Sequence, residues 1–124
     1  MVSFSPVYED VVPPTVKFTV EALKSAAKFP NIKRFVLTSS TAAVFMPPGT
    51  ADDVLTEQSW LEEAKTKARE LPADDPTRSL WVYCASKIEG EQAAWKFMKE
   101  QKVRSHCPRQ GSSSLTVRSY IAFL

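Results

Sequence analysis

The strongest constraint on this chain is a change of hydrophobic period between residues 15 and 41. From Thr15 the apolar positions Val16, Val20, Leu23, Ala26 and Ala27 recur at helical spacing, with Lys17, Glu21, Lys24 and Lys28 on the other side. Pro30-Asn31 ends that pattern. Phe35-Val36-Leu37 then forms a short continuous apolar run, the look of a parallel strand covered on both faces. Thr38-Ser39-Ser40-Thr41 follows at its carboxyl end. Helix, short loop, buried strand and polar cluster together predict half of a doubly wound α/β sheet. In such sheets ligands sit at the carboxyl edge.

Pro13-Pro14 precedes the helical pattern and predicts its first turn, where a missing N–H costs nothing. Beyond the strand, Pro47-Pro48-Gly49 and Asp52-Asp53 read as a loop. Glu57 to Glu70 reads as a charged helix with Trp60, Leu61, Ala64 and Ala68 on its apolar side. After the loop Leu71 to Pro76, a long helix is expected from about Ser79 to Gln101, with Asp74, Asp75, Thr77 and Ser79 as capping candidates. After Lys102 the texture changes, and neither period survives over 103–114. Leu115 to Leu124 can form a strand. The chain therefore divides into 1–102 and a divergent tail, 103–124.

Composition narrows the function. The 124 residues suffice for one small domain. A net charge of +2 argues against nucleic acid as a partner. Cys84, Cys107 and His106 cannot assemble a zinc site, so no metal is expected. No apolar run approaches the ~20 residues that span a bilayer. With no visible leader, a cytoplasmic protein is the expectation.

Tyr83-Cys84-Ala85-Ser86-Lys87 places a phenol and an ammonium four residues apart on one helical face. An ammonium beside a phenol favours the phenolate and eases reversible proton transfer. Alone, the pair more often describes a half-buried tyrosine and a solvated lysine. Ser39 and Ser40 at a strand end can hydrogen-bond a carbonyl, and adjacent serines also serve turns and caps.

The two signals together resemble the extended short-chain dehydrogenase/reductases of the NAD-dependent epimerase/dehydratase superfamily. Arg34 to Val44 is similar to their active-site strand, and Leu80 to Met98, with Tyr-x-x-Ser-Lys followed by Glu-x-x-Ala-Trp, to their catalytic helix. Within that family the likeness is to microbial NADPH-dependent aldehyde and ketone reductases and to plant dihydroflavonol reductases. It extends over residues 2 to about 102.

The resemblance implies a partial Rossmann-like domain and the reduction of a small-molecule carbonyl. It implies that Ser40 polarises the carbonyl and Tyr83 donates the proton. Lys87 would assist the phenol and bond the nicotinamide ribose. Thr38 and Ser39 would lie near the cofactor. NADPH as cofactor rests on the resemblance alone. So does a homodimer through the helices near 14–28 and 79–101. The alternatives are a non-catalytic truncated protein that pairs with a full-length relative, and a fragment of a nucleotide-sugar epimerase or dehydratase.

Three departures from the family pattern carry expectations of their own. The glycines, Gly49, Gly90 and Gly111, form no phosphate-binding fingerprint, so a central fragment with weak cofactor affinity is expected. The tail after Lys102 suggests a shifted reading frame or a retained intron. Phe18 stands where family members commonly carry glycine, which predicts altered packing against the neighbouring element.

Overall fold

A computed structural model describes residues 4–32, 34–46, 59–101 and the strand at 116–120. The expected loop at Pro47-Pro48-Gly49 and Asp52-Asp53, and most of the tail with His106 and Cys107, lie outside the described residues.

The first helix, α1, runs Tyr8–Ala27. It begins earlier than the proline pair predicts, and Pro13 and Pro14 lie inside it. An interior proline removes one intrahelical hydrogen bond and costs about 3 kcal/mol. Packing on either side offsets the loss. Val11 and Val12 are buried against Val82 and Ala85, and Tyr8 is tied to the third helix through its hydroxyl. Glu9 and Asp10, whose carbonyls lose those partners, are exposed to water. Glu9 and Asp10 also place negative charge in the first turn, where the helix dipole favours it.

Strand β1 spans Arg34–Thr38. Phe35 and Leu37 pack on the cluster of Leu23, Ala94, Phe97 and Met98. Val36 is 56% exposed. The expectation of a strand covered on both faces is thus corrected. Alternate residues of a strand point to opposite faces, and among the described residues the packed face is the one carrying Phe35 and Leu37. A single 3-10 turn, Thr41–Ala43, follows directly.

Helix α2 is Glu63–Glu70, shorter than the stretch from Glu57. Trp60 and Leu61 pack beside it as irregular chain. Ala64 and Ala68 are fully buried, so two small side chains let α2 approach its neighbour closely. Helix α3, Arg78–Glu100, matches the expected long helix closely. Of the capping candidates Thr77 is the N-cap residue, without a side-chain cap bond, and Asp75 forms the turn just ahead of it. Its carboxylate accepts from the Thr77 backbone N–H at 2.7 Å and the Thr77 hydroxyl at 2.6 Å. Those bonds hold its pKa below the usual carboxylate range.

Strand β2, Thr116–Tyr120, pairs with β1 in parallel, Leu37 opposite Ser119. Parallel neighbours need a crossover connection, and α3 lies within it. A strand is therefore present in the tail, and β1 has a partner along one edge. α3 is the hub, packed against α1, α2 and the 3-10 turn. Phe18 on α1 is 76% exposed. The expectation that it alters packing is corrected, because its ring lies outside the seam.

Candidate active site

Tyr83 and Lys87 lie on one face of α3, with the Lys87 ammonium 5.7 Å from the centroid of the Tyr83 ring. That is within the range of a cation–π contact. Both side chains are half-buried, and Lys87 forms no salt bridge among the described residues. Next to Tyr83, Cys84 is fully buried, and burial pushes its thiol up to about 11. It belongs to the core. Ser86 donates back to the Tyr83 carbonyl at 2.7 Å and is buried. The serine of Tyr-x-x-Ser-Lys therefore tightens the helix and does not face the site.

The carboxyl end of β1 is brought to this face by the 3-10 turn. Ala43 is buried with Cys84 and Ile88, and Ala42 and Tyr83 pack against the same cluster. The Leu61 N–H donates to the Ala43 carbonyl at 2.9 Å, fastening the turn from the α2 side. Ser40 is the turn's N-cap. Its Oγ accepts from the Ala42 N–H at 3.2 Å, and its carbonyl from the Ala43 N–H at 3.0 Å. Accepting through a lone pair leaves the Ser40 hydroxyl proton to be donated outward. Thr38 is exposed at the strand end.

Ser39 has a different partner. Its hydroxyl donates to Glu91 Oε2 at 2.5 Å. Glu91 lies four residues after Lys87 and eight after Tyr83, on the same stripe of α3. Trp95 continues the stripe, and its Nε1 lies 3.5 Å from Glu91 Oε1. Sequence reading met Glu91 only as the first residue of Glu-x-x-Ala-Trp and gave it no role in the site, although the helical period that joined Tyr83 to Lys87 reaches it in one more step. Phe4 was missed as well. Its ring stacks on Tyr83, centroids 5.2 Å apart at 25°. No periodic signal links residues so far apart in the chain.

Among the described residues, no group of three or more His, Cys, Asp and Glu side chains is placed to hold a metal. No helix among them is long and apolar enough to cross a membrane.

No family model matches the chain. Individual proteins do. It is 52% identical over 103 residues to aldehyde reductase 2 of Sporidiobolus salmonicolor, a match covering 82% of this chain and 30% of that protein. It is 38% identical over 107 residues to cinnamoyl-CoA reductase CAD2 of Medicago truncatula, covering 80% of this chain and 30% of that protein. The NAD-dependent epimerase/dehydratase terH of Aspergillus terreus matches at 37% over 101 residues, with 82% and 30% covered. The chain spans less than a third of the length of these relatives.

Proposed function

We propose, from the premise that this chain is a homologous segment of the NAD-dependent epimerase/dehydratase branch of the short-chain dehydrogenase/reductases, that it carries the catalytic residues of an NADPH-dependent aldehyde or ketone reductase. The fold expected of the whole is a doubly wound parallel sheet. The α1–β1–α3–β2 arrangement is a central part of it. The observation that carries the functional reading is the Lys87 ammonium beside the Tyr83 ring, on the face of α3 that the Ser40 turn packs against.

The roles follow from the chemistry of each group. The Ser40 hydroxyl, with its lone pair engaged by Ala42, donates to the carbonyl oxygen and draws charge onto it. The Tyr83 hydroxyl gives its proton to that oxygen as it becomes an alkoxide. The Lys87 ammonium stabilises the negative charge left on the phenol. A bound nicotinamide supplies the hydride. The residues present fit the ribose end of such a cofactor. Lys87 has three donors and no carboxylate partner among the described residues, and Thr38 and Ser39 stand at the strand edge where ligands of open sheets bind. The glycine fingerprint that would cradle the phosphates is not in these 124 residues. A fluorescence titration of the chain alone with NADPH should therefore give weak binding or none.

A fragment of a nucleotide-sugar epimerase or dehydratase is the second reading. The 52% match to an aldehyde reductase, against 37% to an epimerase/dehydratase, favours the reductase. Two copies meeting across the helices near 14–28 and 79–101 remain part of the proposal. α1 and α3 already pack on each other within one copy, so only their outer faces are left for a second.

The test is a chimera. Residues 2–102 replace the matching segment of the Sporidiobolus aldehyde reductase, and NADPH-dependent aldehyde reduction is followed by absorbance. The chimera should turn over, and Tyr83→Phe within it should not. A folded chimera that binds NADPH and is inert, or that works equally well with Tyr83→Phe, overturns the reading.

A further inference from the structure

The stripe on α3 does not end at Lys87. Its next member, Glu91, reaches across to the residue immediately before Ser40. The Ser39 hydroxyl donates to Glu91 Oε2 at 2.5 Å, joining positions 52 residues apart in sequence. Both groups are half-buried. A hydroxyl bound to a carboxylate is a charge-assisted hydrogen bond, roughly twice as strong as a neutral one.

The bond matters because of where it acts. β1 stops at Thr38, and the 3-10 turn starts at Thr41. Ser39 and Ser40 are the two residues between them, outside both elements. The turn beyond them is fastened by Ala43 in the core and by the Leu61 N–H. The strand before them is fastened by Phe35 and Leu37. The Ser39–Glu91 bond is a side-chain link from this two-residue joint to α3. Ser40 Oγ and Ser40 O are both occupied locally, by the N–H groups of Ala42 and Ala43. The Ser40 hydroxyl is therefore set against the Tyr83–Lys87 face by two supports, the Ala43 packing behind it and the Ser39–Glu91 bond in front of it.

We propose that Glu91 is the positioning residue of the site, and that by holding Ser39 it fixes the Ser40 hydroxyl in register with Tyr83 and Lys87. This rests on the reductase reading above. It gives Ser39, which the family resemblance places near the cofactor, a role exercised through α3 as well. Glu91 touches no reacting atom in this account. A misplacement of about 1 Å in a reacting geometry costs on the order of a hundredfold in rate. The expected signature is therefore in kcat.

The experiment compares Glu91→Ala, Glu91→Gln, Ser39→Ala and the double alanine variant in the active chimera, with Tyr83→Phe as control. Glu91→Ala should lower kcat about ten- to a hundredfold, with the KM for NADPH changed less than about threefold. Glu91→Gln keeps an oxygen to accept from Ser39 and should recover most of that loss. Ser39→Ala should reproduce most of the kcat loss of Glu91→Ala, and the double variant should be no worse than Glu91→Ala alone, because the Ser39–Glu91 bond is already absent in each single variant. In the 124-residue chain itself, amide exchange at Ala42 and Ala43 should quicken with Glu91→Ala, while Val82 and Ala85 keep their protection. The idea fails if kcat is unchanged in Glu91→Ala, if the losses of the two single variants multiply, or if Ser39→Ala raises the KM for NADPH at constant kcat. Should Tyr83→Phe remain fully active, it is the reductase reading that falls. Should Tyr83→Phe be dead while Glu91→Ala is normal, only the positioning role falls.

Discussion

Helix α3 carries two tyrosine clusters on opposite sides, and they differ in how completely their polar groups are used. On one side the Tyr8 hydroxyl donates to Glu89 Oε1 at 2.6 Å and accepts from the Arg69 guanidinium. Arg69 also pairs with Glu89 at 3.1 Å and lies 4.3 Å above the Tyr8 ring. The cluster clamps α1, α2 and α3 together, and Tyr8 is only 8% exposed. Burial, with Glu89 second, pushes the Tyr8 phenol up to about 12. On the other side Tyr83 has a cation beside its ring, and its hydroxyl forms no hydrogen bond among the described residues. Both clusters hold a phenol and a base. The first is closed, with every group consumed by a neighbour. The second leaves the Tyr83 hydroxyl and the Lys87 ammonium without a hydrogen-bond or ion-pair partner among the described residues. A tyrosine next to a basic side chain is therefore not in itself a site. What distinguishes Tyr83 is the unspent hydroxyl and the position at the carboxyl end of β1.

The sharpest way to break that contrast is to delete each hydroxyl in turn. In the chimera, Tyr83→Phe should cost about 10²- to 10⁴-fold in kcat/KM, the usual worth of a positioned general acid. Tyr8→Phe should leave kcat/KM within about twofold. Steady-state kinetics of the two variants side by side decide the matter, and a large loss from Tyr8→Phe would erase the distinction.

Stability should show the reverse order. Tyr8→Phe removes the donor to Glu89 inside the three-helix clamp, at a cost of about 1–3 kcal/mol. Tyr83→Phe should change stability by less than about 0.5 kcal/mol, as expected for a change away from a buried network. Urea unfolding of the 124-residue chain measures both. Equal costs would mean that the Tyr83 hydroxyl is also spent on the fold.

Alkali should probe the closed cluster alone. The folded Tyr8 phenol titrates near 12 against an ordinary value near 10. A raised folded pKa means that the folded state holds its proton longer, so the contribution is complete below pH 10. It is lost as pH rises from about 10 through about 12. The loss is on the order of 2 kcal/mol. The difference in unfolding free energy between wild type and Tyr8→Phe, followed from pH 9 to 12, should shrink accordingly. A constant difference would show that the phenol is not held protonated by the fold.

The same contrast explains what the sequence could disclose. Local, periodic features were legible. Helix α3 came out within a residue at each end because its apolar positions repeat along the helix and the Asp75–Thr77 turn precedes it. Tyr83 and Lys87 were visible because a helical turn brings positions four apart together. The Tyr8–Glu89 bond spans 81 residues and the Arg69–Tyr8 bond 61. Nothing in a period reveals such pairs. The prolines misled for a related reason. Pro13 and Pro14 report a local backbone cost, whereas the early start of α1 is set by the distant partners of Tyr8, Val11 and Val12. Val36 reads as buried by its neighbours in sequence, but which strand face is covered depends on what packs there. Glu91 lies between the two cases. Its place on the Tyr83–Lys87 stripe was legible, and its partner Ser39 was not.

Gly90 separates the two faces and supplies the mildest test of the boundary between them. It sits between Glu89 of the clamp and Glu91 of the site, where α3 meets α1. A Cβ added there would lie 3.4 Å from Thr15 Cγ2 and 3.6 Å from Thr19 Oγ1, at ordinary contact distance. Thr19 is itself held, its hydroxyl donating to the Thr15 carbonyl at 2.9 Å. Glycine inside a helix costs about 1 kcal/mol relative to alanine. Gly90→Ala should therefore leave stability unchanged or raise it by up to about 1 kcal/mol, with kcat/KM of the chimera unaffected. Gly90→Leu has no room in the seam and should destabilise both faces together. If Gly90→Ala instead lowered the melting temperature and kcat/KM in step, the two faces would have to be treated as one coupled unit, because a single methyl in the α1 seam would then be reaching the Tyr83 stripe.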